Sequence, residues 1–509
     1  MEDHATTAQG IAGLPSPLST GVSGLDDVLG GGLTPGRVYL LEGTPGTGKT
    51  TLALQFLLEG VRRGERGLYV TLSESEEELR ASASSHGWSL DTIEVYELVN
   101  ELGLDPDSEQ SVLHAYDLEL GEIVREVIDR VDELEPRRVV FDSLSELRLL
   151  AQSPLRYRRQ ILALKQFVTK RRCTVLMLDD RTAEPGDQQL HSIAHGVVTL
   201  EQVPREFGSE RRRLRVQKMR GIKFRGGYHD YVLETGGLTV FPRLVAAEHH
   251  ASFTAVAAST GSAELDLLLG GGLVPGTNTL LMGPSGVGKS TTIARCMLTA
   301  LERGERATYF LFDEGMATML ARAAALAMDL APYLNTGRLT VTQIDPAELS
   351  PGEFSSKVRV AVEEEGSSFV AIDSLNAYLH AMPGEEFLTL QMHELLSYLN
   401  QQGVTTLLVL GQHGIMGEVR SDIDLSYLSD NNVLFRFFEA QGEVRSAISV
   451  IKSRINSHER TIRELRMSSR GVQVGEALID FQGILSGLPS YSGHVPMLRD
   501  APIRKEHQG

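Results

Sequence analysis

The chain carries one glycine-rich stretch twice, and no other feature limits its fold as strongly. Residues 43–50 read GTPGTGKT and residues 283–290 read GPSGVGKS, and each copy follows an apolar run and precedes a helical pattern. Glycines let the backbone close around an anion, and the N–H groups at a helix start supply positive potential. The Walker A pattern in this strand, loop and helix context therefore predicts two nucleoside-triphosphate sites.

Neighbouring residues without phosphate chemistry repeat at the same offset of 240 positions: RGER at 63–66 recurs at 303–306. Internal repetition on this scale indicates a tandem duplication of one domain. Short β-rich runs alternate with helical patterns in each copy, which predicts an α/β fold with a mainly parallel sheet flanked by helices. We expect a flexible arm at 1–15, a first ATPase domain at 16–245, a linker at 246–259, a second ATPase domain at 260–487 and a flexible tail at 488–509.

The charge balance bears on the partners of the chain. Its 49 basic and 67 acidic residues give a net charge of −18, which opposes non-specific binding to nucleic acid or to an anionic membrane. No apolar run approaches the roughly 18 residues of a membrane span, and no signal peptide is recognisable, so we expect a cytoplasmic protein. Cys173 and Cys296 lie in apolar segments and are expected to be buried thiols.

Each glycine-rich loop supplies a defined set of nucleotide contacts. Lys49 and Lys289 are expected to reach the outer phosphates and to act in catalysis, while the hydroxyl groups of Thr50 and Ser290 are expected to bind Mg²⁺. The residues expected to bind ATP around each loop are Gly46, Thr47, Gly48, Lys49, Thr50 and Thr51 in the first domain, and Gly286, Val287, Gly288, Lys289, Ser290 and Thr291 in the second.

Hydrolysis also needs a second metal anchor and a base. An apolar strand ends in Asp142 in the first domain and in Asp373 in the second, and both are expected to act on Mg²⁺. The base is expected at the end of the strand next to the P-loop strand, where the sequence has Glu74, and Asp313 with Glu314. The alternative for Glu74 is a helix N-terminal carboxylate that the helix dipole favours.

A lysine and an arginine recur late in each domain on β-like runs, at Lys218-Met219-Arg220 and Lys452-Ser453-Arg454. Cations held far from their own P-loop can reach the nucleotide of a neighbouring subunit and stabilise charge on its phosphates. The alternative is a solvated edge strand whose lysines discourage aggregation.

With these residues in hand, the chain resembles the KaiC-like family of double-domain, RecA-fold clock ATPases over roughly residues 15–490. The resemblance is carried by the segments before the P-loops, residues 23–33 and 262–273, and by each P-loop with its strand-end aspartate. The SHGW sequence at 85–88 and the GEVRSAI sequence at 442–448 add to it. It implies two tandem RecA-like P-loop domains, a homohexamer of two stacked rings, ATP with Mg²⁺ between subunits, and a signalling partner such as a KaiB-like protein. It also implies that Ser85 binds nucleotide and that both Lys-x-Arg elements act in trans.

Several positions depart from the family pattern. The family has paired glutamates at the catalytic strand end, whereas this chain has Ser73-Glu74 and Asp313-Glu314. Alignment on Ser429-Asp430 puts Ser426 and Tyr427 where the family carries neighbouring phosphorylated Ser and Thr residues. The resemblance thus implies possible serine autokinase activity at Ser426, and the alternative is that Ser426 and Tyr427 only pack at a subunit interface.

The arginines differ between the two domains. Arg158 and Arg159 suit arginine-finger duty in the first domain, but Leu390 and Gln391 stand at the equivalent places of the second. Leu326 stands where the family's second domain has a Trp near the adenine. Catalysis in the second ring is therefore expected to be slow or to depend on other groups, such as Arg454 and His458.

Two other functions remain open from the sequence. A RecA- or helicase-like DNA-dependent ATPase is favoured by the run from Arg205 to Arg225, where nine Lys or Arg residues stand against two Glu. The net charge and the lack of an aromatic, basic strand-binding loop argue against it. An ATP-gated scaffold with little turnover is favoured by Ser73 and by the missing second-domain arginines.

Overall fold

The computed structural model describes residues 16–98, 120–151, 153–181, 189–205, 207–380, 387–412, 426–469, 471–485 and 489–491. The chain forms two compact units, and the boundary between them lies between Arg243 and Leu244. Each unit is built on a nine-stranded, mostly parallel sheet, so the predicted duplication and α/β class are confirmed. The expected arm at 1–15 and most of the expected tail at 488–509 lie outside the described residues.

The first unit has a single sheet with the strand order β3-β2-β4-β5-β1-β6-β7-β8-β9. Its strands are β1 (Val38–Glu42), β2 (Gly67–Thr71), β3 (Glu94–Glu97), β4 (Arg138–Asp142), β5 (Thr174–Asp179), β6 (Gly196–Val203), β7 (Arg211–Met219), β8 (Tyr228–Glu234) and β9 (Gly237–Phe241). Its described helices are α1 (Leu25–Val28), α2 (Lys49–Arg62), α3 (Glu76–Ser85), α4 (Leu120–Leu134), α5 (Leu144–Leu150), α6 (Pro154–Arg171) and α7 (Gln189–Ile193).

The second unit repeats this order as β12-β11-β13-β14-β10-β15-β16-β17-β18. Its strands are β10 (Asn278–Gly283), β11 (Ala307–Leu311), β12 (Leu339–Gln343), β13 (Phe369–Asp373), β14 (Thr405–Gly411), β15 (Asn431–Ala440), β16 (Glu443–Ser453), β17 (Arg463–Ser468) and β18 (Gly471–Ala477), followed by the pair β19 (Phe481–Gln482) and β20 (Ser490–Tyr491). Its described helices are α8 (Ala263–Leu268), α9 (Lys289–Glu302), α10 (Met316–Ala325), α11 (Ala331–Asn335), α12 (Pro351–Glu363), α13 (Leu375–His380) and α14 (Leu388–Gln401).

Strand β1 is buried along its whole length, because both faces of the sheet are covered. Val38 and Leu40 belong to one hydrophobic core, whereas Tyr39 and Leu41 belong to the other. Successive side chains of a strand point to opposite faces, so a continuous apolar run is what a strand between two cores requires.

One expectation about strand order is wrong. Strands β5 and β6 flank the P-loop strand β1, while β2, which leads to Glu74, is separated from β1 by β4 and β5. Strand β2 follows β1 in the chain, but the crossovers put it beside β4, the strand that ends in Asp142. The strand of the base candidate is therefore a neighbour of the strand that ends in the candidate metal-binding aspartate, and the same holds for β11 and β13 in the second unit.

The start of the expected linker packs on the second unit. Ala246, the first linker residue, and Leu244 just before the linker are buried in a core cluster of that unit. The Ala246 N–H donates to a Glu394 carboxylate oxygen at 3.1 Å. The His249 ring lies 3.1 Å from a carboxylate oxygen of Glu363. These first linker residues thus have fixed contacts within the second unit.

Two further observations concern the chain as a whole. Cys173 and Cys296 are both buried free thiols, as expected from their apolar segments. Among the described helices, none combines the length and the apolar character needed to cross a membrane.

Candidate nucleotide sites

Both P-loops have the strand, loop and helix arrangement that the sequence predicts. Helix α2 begins at Lys49 and helix α9 at Lys289. The residue before each helix, Gly48 or Gly288, has a left-handed backbone with φ of 88° and 110°. Only glycine adopts this conformation without steric cost, so the last loop glycine is required for the turn into the helix.

The P-loop lysines fold back over their own loops. The Lys49 ammonium donates to the carbonyl of Gly43 at 2.7 Å and to that of Thr44 at 3.2 Å. Lys289 donates in the same way to the carbonyls of residues 283 and 284, both at 2.7 Å. Both lysine side chains are buried. Each P-loop therefore holds a shielded lysine ammonium against its own backbone carbonyls.

The expected metal anchors also meet. The Thr50 hydroxyl lies 3.4 Å from a carboxylate oxygen of Asp142, so an alcohol and a carboxylate converge beside the P-loop. Burial raises the pKa of Asp142, and it likewise raises the pKa of Asp373 in the second unit, where the Ser290 hydroxyl is one of the groups that oppose this shift. Hard oxygen ligands of this kind fit Mg²⁺, which keeps waters and phosphate oxygens as its other ligands.

A tyrosine on the neighbouring strand holds each aspartate. The Tyr69 hydroxyl donates to Asp142 at 2.6 Å, and the Tyr309 hydroxyl donates to Asp373 at 2.9 Å. Both tyrosines are fully buried in the middle of β2 and β11. Sequence reasoning missed them, although their recurrence at the offset of the duplication was a usable signal.

Glu74 lies just after β2, ahead of helix α3. The helix is capped by the next residue, because the Ser75 hydroxyl and the Glu78 carboxylate form a reciprocal capping box. Ser75 is therefore the cap, and the Glu74 carboxylate lies one residue before it, near the helix N-terminus. Burial raises the pKa of the Glu74 carboxyl, and the negative charges of Asp142, Glu78 and Asp180 raise it further. A partly buried carboxylate with a raised pKa has the character of a general base.

The two acidic candidates of the second unit are engaged differently. Asp313 accepts a hydrogen bond of 2.5 Å from the Ser374 hydroxyl, which follows the metal-site aspartate. Glu314 forms an ion pair of 2.7 Å with Arg322 of helix α10. In the first unit, Ser143 is the counterpart of Ser374, and Ser73 stands where the aspartate would be. The buried Ser143 hydroxyl has no hydrogen-bond partner among the described residues.

The first site contains an ion pair that the sequence did not indicate. The Lys49 ammonium lies 2.8 Å from a carboxylate oxygen of Asp180, directly after β5. By strand register, Gly411 is the counterpart of Asp180, so the second site has no carboxylate there. In that site, burial lowers the pKa of Lys289 to about 8. The pair was missed because β5 is adjacent to β1 only in the folded sheet.

Three cations expected to act in trans meet around helix α7 in the first unit. Lys218 donates to the carbonyls of His191 and Ala194, and Arg220 donates to the carbonyl of Ser192 at 2.9 Å. Arg158 donates to the Ser192 hydroxyl at 3.2 Å. These side chains form one basic cluster on this unit. Met219, between Lys218 and Arg220 in the chain, is buried and packs in the core. Arg159, next to Arg158 on α6, is exposed.

In the second unit, the Lys-x-Arg element meets the candidate phosphorylation segment. Lys452 donates to the carbonyls of Ser426 and Ser429 at 2.8 and 2.6 Å. Arg454 donates to the carbonyl of Tyr427 at 2.9 Å. The Tyr427 side chain is 56% exposed, and Ser426 is partly buried. The other two candidates in this region, Ser453 and His458, are partly buried. Helix α14 carries Leu390 and Gln391 at the places of Arg158 and Arg159. Leu390 is exposed and Gln391 is partly buried.

The residues expected near the adenine lie at the ends of α3 and α10. Ser85 is the last residue of α3, and its hydroxyl donates to the carbonyl of Ser82 at 2.7 Å. The next residue, His86, lies 3.5 Å from the Thr51 hydroxyl and stacks on Trp88. Leu326 follows α10 and packs against the core of the second unit. Polar and aromatic side chains thus follow α3 in the first unit, whereas the apolar Leu326 follows α10 in the second.

Comparison with known proteins agrees with this duplicated architecture. The family model that describes the KaiC ATPase matches residues 18–245 and again residues 258–478. The circadian clock protein KaiC3 of Synechocystis is 27% identical over 488 residues, which cover 95% of this chain and 96% of that protein. The circadian clock oscillator protein KaiC of Synechococcus elongatus is 28% identical over 490 residues, which cover 93% and 92% of the two chains.

Proposed function

The chain belongs to the KaiC ATPase family, and from that premise we propose that it binds ATP with Mg²⁺ at two P-loop sites and hydrolyses it as a clock-type signalling ATPase. The observation that carries the proposal is the convergence at one edge of the first sheet. There the P-loop Lys49, the pair of Thr50 and Asp142, and the partly buried Glu74 lie at the carboxyl ends of three strands, β1, β4 and β2. Strands β2 and β4 are adjacent, and only β5 separates β4 from β1. Ligands bind at this edge in open α/β sheets.

Each residue has a distinct role in the proposed reaction. Lys49 and Lys289 bind the outer phosphates, and backbone N–H groups of the loops hold the remaining charge. Thr50 with Asp142, and Ser290 with Asp373, hold Mg²⁺, which neutralises charge on the phosphates when it is bound. Glu74 and Glu314 accept a proton from the attacking water, or orient that water, in line with the γ-phosphate.

We further propose that the chain assembles as a homohexamer of two stacked rings. The basic cluster of Arg158, Lys218 and Arg220 supports this assembly, because such cations would stabilise phosphate charge in a neighbouring subunit. The proposed reader of the resulting ATP state is a signalling protein of the KaiB type.

Serine autokinase activity is proposed at Ser426 of the second ring. Lys452 holds the backbone of this segment, and the Tyr427 side chain beside it is exposed. Intact-mass analysis after incubation with Mg-ATP tests the proposal. New phosphate that disappears in Ser426→Ala but not in Tyr427→Phe supports it, whereas an unchanged mass contradicts it.

The main test is phosphate release by the full chain. We expect Glu74→Gln to remove most of the first-site rate, by about 100-fold or more as for other general bases, while ATP binding is retained. Glu77→Gln is the matched control, because this exposed glutamate lies close to Glu74 in the chain, in the first turn of helix α3. A small effect of Glu74→Gln with intact assembly would instead support an ATP-gated scaffold.

A nucleic-acid motor receives little support from the basic run on β7. Arg213 pairs with Glu201 at 2.9 Å and covers the Tyr228 ring, and Arg212 pairs with Glu210 at 3.3 Å. These arginines are engaged within their own hairpin. We expect single-stranded DNA or RNA to leave the rate of phosphate release unchanged, and a salt-sensitive stimulation would favour the motor.

A further inference from the structure

The second site contains an arginine that bridges its base candidate and its P-loop helix. One nitrogen of the Arg322 guanidinium lies 2.7 Å from a Glu314 carboxylate oxygen. Another donates to the hydroxyl of Thr291, in the first turn of helix α9, at 3.3 Å. The Arg322 and Glu314 side chains are 29% and 27% exposed, so water only partly screens the pair.

The first site has no such bridge at the equivalent helix position. Helices α3 and α10 have the same length, and Ser82 occupies the place in α3 that Arg322 occupies in α10. The charges with the largest influence on Glu74 are the carboxylates of Asp142, Glu78 and Asp180. One base candidate is thus surrounded by negative charge, while the other is neutralised by a direct partner.

An ion pair of this kind opposes the work of a base. A carboxylate that accepts a charge-assisted hydrogen bond has one oxygen occupied and its orientation fixed by the fork of the guanidinium. The bond to Thr291 fixes the arginine in turn, because it ties the guanidinium to the rigid P-loop helix. Glu314 must break or bend this pair before that oxygen can accept a proton from water.

We propose that Arg322 is a positioning residue that restrains Glu314 and makes the second site the slower of the two. This inference rests on the proposed function, in which Glu314 is the base of the second site. It predicts that the difference in hydrolysis rate between the two sites has two sources. One is Arg322 on α10, and the other is that Leu390 and Gln391 stand at the places of the first-domain arginines.

A direct role of Arg322 on the phosphates has the opposite consequence. If the guanidinium stabilised the transferring phosphoryl group, its removal would lower the catalytic rate or weaken ATP binding. If it restrains the base, its removal raises the rate constant kcat and leaves the KM for ATP nearly unchanged. The sign of the effect on kcat therefore separates the two roles.

The experiment uses the full chain with the first site silenced by Glu74→Gln. Phosphate release and equilibrium ATP binding are measured for Arg322→Ala and Arg322→Lys in this background. We expect Arg322→Ala to raise kcat about threefold to tenfold, which corresponds to the loss of a partly screened ion pair, with KM within about twofold. Arg322→Lys should lie in between, because lysine keeps the charge but not the forked donor geometry.

Two further variants complete the design. Arg359→Ala is the matched control, since Arg359 pairs with Glu363 on α12 away from the site and its loss should leave kcat unchanged. Ser82→Arg, made in a Glu314→Gln background, introduces the bridge into the first site and should lower kcat there.

Three outcomes would overturn the inference. A fall in kcat or a large rise in KM for Arg322→Ala would make the arginine a phosphate ligand. An unchanged kcat would make the pair purely structural. If the wild-type protein released no more phosphate than the double variant Lys49→Ala, Lys289→Ala, the proposed function itself would fail, and this inference with it.

Discussion

At the scale of single residues, the candidate base of the first site determines how hydrolysis depends on pH. Burial and nearby carboxylates raise the pKa of Glu74 above its ordinary value of 4.5. A base works when it is deprotonated, so first-site activity should fall as the pH drops through a value above 4.5. We expect this acid limb in the pH-rate profile of the Glu314→Gln variant, with samples returned to pH 7 to exclude unfolding.

Asp180→Asn is the control for this profile. It removes one of the negative charges that raise the pKa of Glu74, so the acid limb should move to lower pH. A limb at or below 4.5 in the parent variant would contradict the role of Glu74 as base.

The ion pair between Lys49 and Asp180 leads to a second prediction. Asp180 pairs with the P-loop lysine at 2.8 Å, so it would compete with a bound phosphate for that cation. Asp180→Asn should therefore tighten ATP binding at the first site by up to about fivefold, since a partly shielded pair contributes roughly 1 kcal/mol. Equilibrium titration in a Lys289→Ala background measures the first site alone, and weaker binding would show that Asp180 orients the lysine productively instead.

At the scale of elements, the turns after α3 and α10 have different residues at their left-handed position. Gly87 and Ala327 are both left-handed, with φ of 77° and 57°. An alanine in this conformation costs about 1 kcal/mol or more relative to glycine. Ala327→Gly removes this strain, but the greater freedom of glycine in the unfolded chain offsets part of the gain. The free energy of unfolding of the second domain should therefore rise by up to about 1 kcal/mol.

Gly87→Ala is the reciprocal variant. Apart from its two chain neighbours, no described residue has an atom within 4 Å of the added methyl group, so we expect the effect to come from the backbone. It should destabilise the first domain by about 1 kcal/mol. Urea unfolding followed by Trp88 fluorescence reports the first domain, because this is the single Trp of the chain, and calorimetry reports the second. Equal stability of Ala327→Gly and the parent would contradict the strain.

The elements also show where sequence reasoning succeeds and where it ends. Both P-loops and both strand-end aspartates, Asp142 and Asp373, could be singled out because their sequence patterns are local in the chain. Asp180 and Arg322 were missed because β5 and α10 meet the nucleotide site only after the crossovers have ordered the sheet. For the same reason β2 was expected beside β1, whereas it lies beside β4. Strand order is a property of how helices cover both faces, and no short motif records it.

At the scale of the whole molecule, the proposed ring makes each active site a shared one. Two inactive variants then complement each other: Lys49→Ala lacks the P-loop cation, and Lys218→Ala, Arg220→Ala lacks the trans cations. In a mixed ring, a subunit with Lys218→Ala and Arg220→Ala keeps its P-loop lysine. It can use the trans cations of a neighbouring subunit that carries Lys49→Ala. Random mixing should restore about a quarter of the first-site rate in a closed ring of equivalent interfaces.

The measurement is phosphate release after the two variants are dissociated and reassembled together, in a Glu314→Gln background. Separate reassembly of each variant is the control. If mixing restores nothing although mixed rings form, Lys218 and Arg220 act within their own subunit or not at all.

The way that β1 is shared between two cores sets the accuracy of the phosphate site. Val38 and Leu40 face one core, and Tyr39 and Leu41 face the other. Sliding the strand by one residue would exchange these sets, so that a tyrosine ring would enter a space shaped for valine while its own space emptied. Both cores thus oppose the slip at once. The position of Gly43 along the sheet is therefore determined by side chains that never meet the nucleotide, and an error of a single residue there would turn the N–H groups of the loop away from the phosphates.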